Sequence, residues 1–145
     1  MLAREIMSTD VITVTPETSV QAARALLAEH RISCLPVLAD GQVVGVVSES
    51  DLIRFAVPPD QRAHERTLVV NTIWPPSTVS QVMTAEPYLA HGGSDVADIA
   101  RAFEVMTWKS VPVVDHGALV GVVSRSDVLR ALAVADRRTT PEVTS

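Results

Sequence analysis

Along the chain the spacing of apolar positions changes in a fixed order, and that order occurs twice. Val11-Ile-Thr-Val14 reads as a brief extended piece, and Val20, Ala23, Leu26, Leu27 and His30 then fall at helical spacing behind Ser19, a candidate N-cap with Thr15-Pro16 upstream. Two apolar runs follow, Cys34-Leu-Pro-Val-Leu38 and Val43-Val-Gly-Val-Val47, separated by Ala39-Asp40-Gly41-Gln42, a hairpin signal. Ser48 opens a second helix carrying Leu52, Ile53 and Phe55. The second occurrence has Tyr88-Leu-Ala90 as its extended piece, then Val96, Ile99, Ala100, Phe103 and Met106 at helical spacing behind Ser94 and Asp95. Its paired runs are Val111-Pro-Val-Val114 and Leu119-Val-Gly-Val-Val123 around Asp115-His-Gly117, and Ser124 opens a helix with Val128, Leu129 and Leu132. The predicted order is β-α-β-β-α, twice, an α+β fold.

The recurrence is also one of residue identity. Gly41-Gln-Val-Val-Gly-Val-Val-Ser-Glu-Ser-Asp51 returns as Gly117-Ala-Leu-Val-Gly-Val-Val-Ser-Arg-Ser-Asp127, at an offset of 76 residues. The same offset aligns Met7 with Met83, Val20 with Val96, Pro36-Val37 with Pro112-Val113 and Arg54 with Arg130. Between Met7 and Arg54 it gives 13 identities in 48 positions without a gap. The chain therefore reads as a tandem duplication, with repeat one in residues 1–57, a linker at 58–78, repeat two at 79–135 and a polar tail at 136–145. Pro58-Pro59 and Trp74-Pro75-Pro76-Ser77 punctuate the linker, where Leu68-Val-Val70 could add a short strand. The polar, Pro-containing tail is expected to be poorly ordered.

Composition narrows the function. Of the 145 residues 47% are hydrophobic and only 3% aromatic, so packing rests on β-branched strands and small-residue helices. A net charge of −5 gives no footprint for a nucleic-acid backbone or an anionic membrane. No uncharged apolar stretch approaches the ~20 residues of a membrane span, and the charged start does not read as a signal peptide, so a cytoplasmic location is expected. The single cysteine, Cys34, reads as a small buried hydrophobe. His30, His64, His91 and His116 show no metal-ligand spacing, so no metal site is predicted.

The duplicated pattern resembles the CBS domain family, named for cystathionine β-synthase, and the pair resembles a Bateman module. The resemblance covers roughly residues 3 to 135. It rests on Glu5-Ile-Met7 and Gln81-Val-Met83, on Ile32-Ser-Cys-Leu-Pro-Val37 and Trp108-Lys-Ser-Val-Pro-Val113, and on Gly-Val-Val-Ser-x-Ser-Asp at 45–51 and 121–127. It implies two CBS repeats packed as a pseudo-twofold pair, often a homodimer, binding an adenosine-containing ligand such as AMP, ADP, ATP or S-adenosylmethionine in clefts between the repeats. No cofactor is required for such a sensor, and its effector is expected to be another, unknown protein.

Candidate site residues follow from the motifs. Ser48-x-x-Asp51 and Ser124-x-x-Asp127 are capping boxes that stabilise a helix start, by ~1 kcal/mol, whether or not a ligand is present. The resemblance adds that each carboxylate binds the two hydroxyls of a ribose, and the two roles are compatible. Gly45 and Gly121 interrupt apolar strands, which marks a bulge or a close approach of backbone or ligand. Pro36 and Pro112 remove a ladder donor, so each strand is expected to lie at an edge or to begin at its proline. The resemblance implies that the residues just before this proline border the nucleotide, here Ser33, Cys34 and Leu35, and Lys109, Ser110 and Val111; packing alone is the other reading of all six.

Lys109 replaces Ser33 and Arg125 replaces Glu49, so repeat two offers two cations that could hold a phosphate or simply lie solvated on the surface. Ile12 and Tyr88, at matched positions, could flank an adenine or fill the core. Arg54 and Arg130, three residues after the aspartates, have the spacing of same-face ion pairs. His91-Gly-Gly-Ser94 could form an anion-binding nest or a plain turn and N-cap. With no Gly-x-Ser-x-Gly, phosphate-binding loop or zinc motif, the chain does not read as an enzyme. Two classes remain: a regulatory adenosine-binding module, and a ligand-free dimerisation or interaction module using Val, Ala and Leu faces of the second helices.

Overall fold

The computed structural model describes residues 1–56, 75–105 and 109–139. Expectations for Leu68–Val70, His64, Trp74, Met106, Trp108, most of the linker and the end of the tail lie outside the described residues.

Helix α1 (Ala3–Ile6) precedes α2 (Val20–His30), strands β1 (Cys34–Ala39) and β2 (Gln42–Ser48), and α3 (Glu49–Arg54). A 3-10 turn at Val79–Gln81 leads into β3 (Thr84–Ala85), β4 (Ala90–His91), α4 (Val96–Val105), β5 (Ser110–Asp115), β6 (Ala118–Ser124) and α5 (Arg125–Thr139). The helix starts follow the sequence: Ser19 Oγ accepts from the Ala22 N–H at 3.0 Å, and Asp95 Oδ1 from the Ala97 N–H at 2.8 Å. Of the stripe on α2, Val20, Ala23 and Leu27 are buried. His30 is exposed, a correction to its place in that stripe; it stands in the last turn, where the following Arg31 already takes a left-handed φ of 54°. Helix α5 runs on to Thr139 and thus includes residues 136–139 of the polar tail.

Each hairpin turns on two residues of positive φ, Asp40 (52°) with Gly41 (79°) and His116 (53°) with Gly117 (81°), the twist that a two-residue hairpin requires. Both antiparallel ladders slip by one residue at the same place, between Val37 and Leu38 and between Val113 and Val114. The sheets have the orders β1-β2-β3 and β4-β5-β6. Pro112 departs from the expectation for its strand: β5 is central and the proline is its third residue. It is tolerated because β4 pairs with β5 only from Val113 onward, past the missing N–H. Pro36, third residue of β1, stands in the same way: β1 is at the edge of the three-stranded order, but a parallel bridge from Val14 to Val37 covers that side, with the Val14 N–H donating to Pro36 O at 3.1 Å and the Leu38 N–H to Val14 O at 2.8 Å.

The compact units cut across the repeats. One consists of residues 1–11 with 88–145 and the other of residues 12–87. Each unit is the body of one repeat joined by the opening segment of the other. In the first, the Ala3 N–H donates to Ser94 O (2.8 Å), Arg4 N–H to Gly92 O (3.0 Å) and Val96 N–H to Met1 O (2.9 Å). In the second, 76 residues offset, Val79 N–H donates to Thr18 O (2.8 Å), Ser80 N–H to Pro16 O (3.0 Å) and Val20 N–H to Ser77 O (3.0 Å). Thr84 pairs with Val46 in β2, and Ser8 with Val122 in β6.

Glycines 45 and 121 are where the exchanged segments arrive. A Cβ on Gly45 would lie 2.6 Å from Met83 Sδ and 2.9 Å from Thr84 O; on Gly121 it would lie 2.5 Å from Met7 Sδ and 2.8 Å from Ser8 O. One unit has a core of Ala3, Ala90, Val96, Ile99, Phe103, Val111, Val113, Val123, Val128 and Ala131. The other is built on Val14, Val20, Ala23, Leu27, Leu35, Val37, Val47, Leu52, Val79 and Val82.

Candidate functional site

The two Ser-x-x-Asp turns stand where a strand feeds directly into a helix. At the start of α3 the Ser48 N–H and Oγ–H both donate to Asp51 Oδ2, at 2.9 and 3.0 Å, while the Asp51 N–H donates back to Ser48 Oγ at 3.3 Å. At the start of α5 the Ser124 N–H donates to Asp127 Oδ2 at 2.8 Å and the Asp127 N–H to Ser124 Oγ at 3.1 Å. Both capping boxes thus form. The cap uses one carboxylate oxygen only, which leaves Oδ1 for other work.

In that work the two sites diverge. Arg130 donates to Asp127 Oδ1 at 2.5 Å, and the Asp127 side chain is only 10% exposed. This is the ion pair that the spacing predicts. Arg54, at the matched position, makes no such pair with Asp51 among the described residues, and Oδ1 of the half-buried Asp51 has no protein donor there.

The residues before each proline gather at the same helix starts. The Ser33 carbonyl accepts from the Glu49 N–H at 2.9 Å, and the Lys109 carbonyl from the Arg125 N–H at 3.0 Å. Cys34 faces Ser48 across the ladder and Ser110 faces Ser124. Cys34 and Ser110 are buried, Leu35 and Val111 are fully enclosed, and Pro36 and Pro112 are buried beside them. In each unit taken by itself, the buried residues back the helix start, Leu35 and Pro36 behind Ser33, Ser48 and Asp51 in one, and Val111 and Pro112 behind Lys109, Ser124, Arg125 and Asp127 in the other.

The two cations of repeat two are not equivalent. Lys109 is exposed, whereas the Arg125 guanidinium donates to Phe103 O at 3.1 Å and lies 5.3 Å from the centre of the Phe103 ring. Ile12 is half-buried against the core of its unit, and Tyr88, two residues ahead of β4, is 38% exposed. In the His91–Ser94 turn, Ser94 Oγ accepts from the His91 N–H at 2.9 Å, and the Gly92 N–H already holds Asp115 Oδ1 at 3.1 Å.

Within the unit of α1 and α5, Asp127 and Arg130 open into a cleft of about 270 Å³ that is otherwise walled by Met1, Ile6, Ala131 and Val134. Of the hydrophobic walls, Met1, Ala131 and Val134 belong to none of the sequence motifs. Their signal is the i, i+3, i+4, i+7 spacing of Asp127, Arg130, Ala131 and Val134 on one helix face. Among the described residues no three His, Cys, Asp or Glu side chains group to hold a metal ion, and no helix is long and apolar enough to cross a membrane.

The CBS domain family matches residues 3–58 and 79–134. The chain is similar to the chloroplastic CBS domain-containing protein CBSX2 of Arabidopsis thaliana, 30% identical over 143 residues, spanning 87% of this chain and 60% of that protein's length. A crystal structure of CBSX2 in complex with AMP superposes with a TM-score of 0.76, covering 94% of this chain and 98% of that one. The CBS domain pair of MJ0100, in complex with 5′-methylthioadenosine and S-adenosyl-L-methionine, gives a TM-score of 0.73 at 26% identity, over 93% of this chain and 98% of that one. An inosine-5′-monophosphate dehydrogenase from Thermoplasma acidophilum is 29% identical over 125 residues, which cover 86% of this chain but only 22% of the enzyme.

Proposed function

Because the chain belongs to the CBS domain family, in two tandem copies, we propose that it is a regulatory module binding an adenosine-containing ligand at the helix starts that carry Asp51 and Asp127. The observation that carries this reading is the pair of capped carboxylates. Each is held by its serine through Oδ2; Oδ1 has no donor among the described residues at Asp51 and pairs with the exposed Arg130 at Asp127. A charged acceptor in that state suits a vicinal diol, because charge-assisted hydrogen bonds are the strong ones. AMP on CBSX2, and 5′-methylthioadenosine with S-adenosylmethionine on MJ0100, support the adenosine class for this chain.

The module has no chemistry of its own in this reading. Ligand alters the relative stability of two arrangements, and a partner protein reads the result. Self-association is part of the proposal. Ile53 is 69% and Leu129 70% exposed at matched positions of α3 and α5, with Leu132 and Val134 exposed further along α5. Apolar side chains placed so on two helices favour a second copy over water. The same exposure supports the alternative reading, an interaction module without a ligand.

Thermal unfolding with AMP, ADP, ATP, S-adenosylmethionine and NAD, each at millimolar concentration, separates the two. A ligand at a hundredfold excess over its dissociation constant adds ~2.7 kcal/mol, a rise of several degrees in Tm. The regulatory reading expects that rise with at least one adenosine ligand and its reduction in Asp51→Ala or Asp127→Ala. No rise with any ligand favours the interaction module.

A further inference from the structure

The matched arginines do different things. Arg54 is the last residue of α3, whose backbone turns away at Phe55, whereas Arg130 lies in the second turn of a helix that continues for nine more residues to Thr139. Both aspartate–arginine pairs lie within a helix, Asp51 and Arg54 in α3 and Asp127 and Arg130 in α5, but only Arg130 is brought onto its carboxylate, where it donates to Asp127 Oδ1. Both oxygens of Asp127 are therefore occupied, Oδ2 by Ser124 and Oδ1 by Arg130, while Oδ1 of Asp51 has no protein donor among the described residues. Arg130 is also a wall of the 270 Å³ cleft, and its side chain is 74% exposed, so it is free to turn out of the pair without disturbing the core.

We propose that Arg130 is a specificity-determining latch on the repeat-two carboxylate; this rests on the reading that Asp51 and Asp127 each receive a ribose. Asp51 accepts the diol directly. Asp127 accepts it only when the guanidinium turns away, and a neutral nucleoside gives that guanidinium nothing in return. A ligand with a phosphate does, because planar guanidinium and phosphate form strong, charge-assisted pairs. The repeat-two site is thus selective for AMP over adenosine, and the repeat-one site is less so.

The test uses the full chain with Asp51→Ala, so that only the repeat-two site is read, and titrates adenosine and AMP by calorimetry with and without Arg130→Ala. Losing the latch should tighten adenosine about threefold, the magnitude of an exposed ion pair, and weaken AMP about tenfold. The preference for AMP then falls roughly thirtyfold, and Arg130→Lys, which keeps the charge, restores part of it. A structural role would move both ligands together. If Arg130→Ala leaves the ratio of the two affinities unchanged, or if Arg130→Lys and Arg130→Ala are indistinguishable, the latch is wrong while the ligand class stands. If neither compound binds the unmodified chain, the proposed function fails and the latch with it.

Discussion

The starts of α3 and α5 are built from almost the same words, Gly-Val-Val-Ser-Glu-Ser-Asp and Gly-Val-Val-Ser-Arg-Ser-Asp, yet they present different chemistry. Both fold into the same capping box, because the cap is a local contract between a serine and an acid three residues on. They differ in what happens beyond the cap. α3 ends after six residues and leaves Asp51 Oδ1 without a partner in the described chain, whereas α5 continues for fifteen and brings Arg130 onto the matched oxygen. Duplication thus preserves the cap at each site, while the matched arginines treat the second carboxylate oxygen differently.

The comparison can be broken most forcefully in the cores. Leu52 is 2% exposed and its counterpart Val128 is 6%, so Leu52→Ala should cost about 3 kcal/mol in chemical denaturation and Val128→Ala somewhat less, the difference following the atoms removed. Equal costs would mean that the two cores do not carry matched roles. The exchanged segments come next. Gly45→Ala and Gly121→Ala each place a methyl group against a methionine sulfur and a backbone carbonyl, and each should lose about 2 kcal/mol. Adding Met7→Ala to Gly121→Ala removes the sulfur but leaves Ser8 O in place, so it should restore only part of the loss.

Smaller effects sharpen the view of the caps. Ser48→Ala and Ser124→Ala should each destabilise by about 1 kcal/mol, and similar values in the two copies would show that the cap is independent of the latch. Smallest are Ile53→Ala and Leu129→Ala, which change monomer stability by a few tenths of a kcal/mol because both side chains already face solvent. Sedimentation should nonetheless register Ile53→Glu and Leu129→Glu if these positions meet a second copy. An unchanged sedimentation coefficient would place the self-association surface elsewhere.

Much of this arrangement is legible in the residues themselves. The 76-residue repeat, the Asp40-Gly41 and His116-Gly117 turns, the N-cap at Ser19 and the two Ser-x-x-Asp caps are local, and local rules find them. The exchange of opening segments is not local. Its traces are the paired Met7 and Met83 and the glycines inside β-branched runs, but nothing in a spacing says that Met83 sits on Gly45 and Met7 on Gly121. Pro112 misleads for the same reason, since whether a strand is central depends on which segment pairs beside it. The arginines show the limit most clearly. One spacing, Asp-x-x-Arg, yields an ion pair at 127–130 and, among the described residues, none at 51–54, although both pairs sit within a helix, so spacing alone does not decide whether the arginine folds back onto its acid.

The central claim is that the two capped carboxylates hold an adenosine ligand. Calorimetric titration of AMP into the unmodified chain, Asp51→Ala and Asp127→Ala tests it most directly. The account predicts two sites per chain, with each variant losing one of them by about a hundredfold in affinity while keeping the other. Binding of AMP with the same stoichiometry and affinity in all three would contradict it.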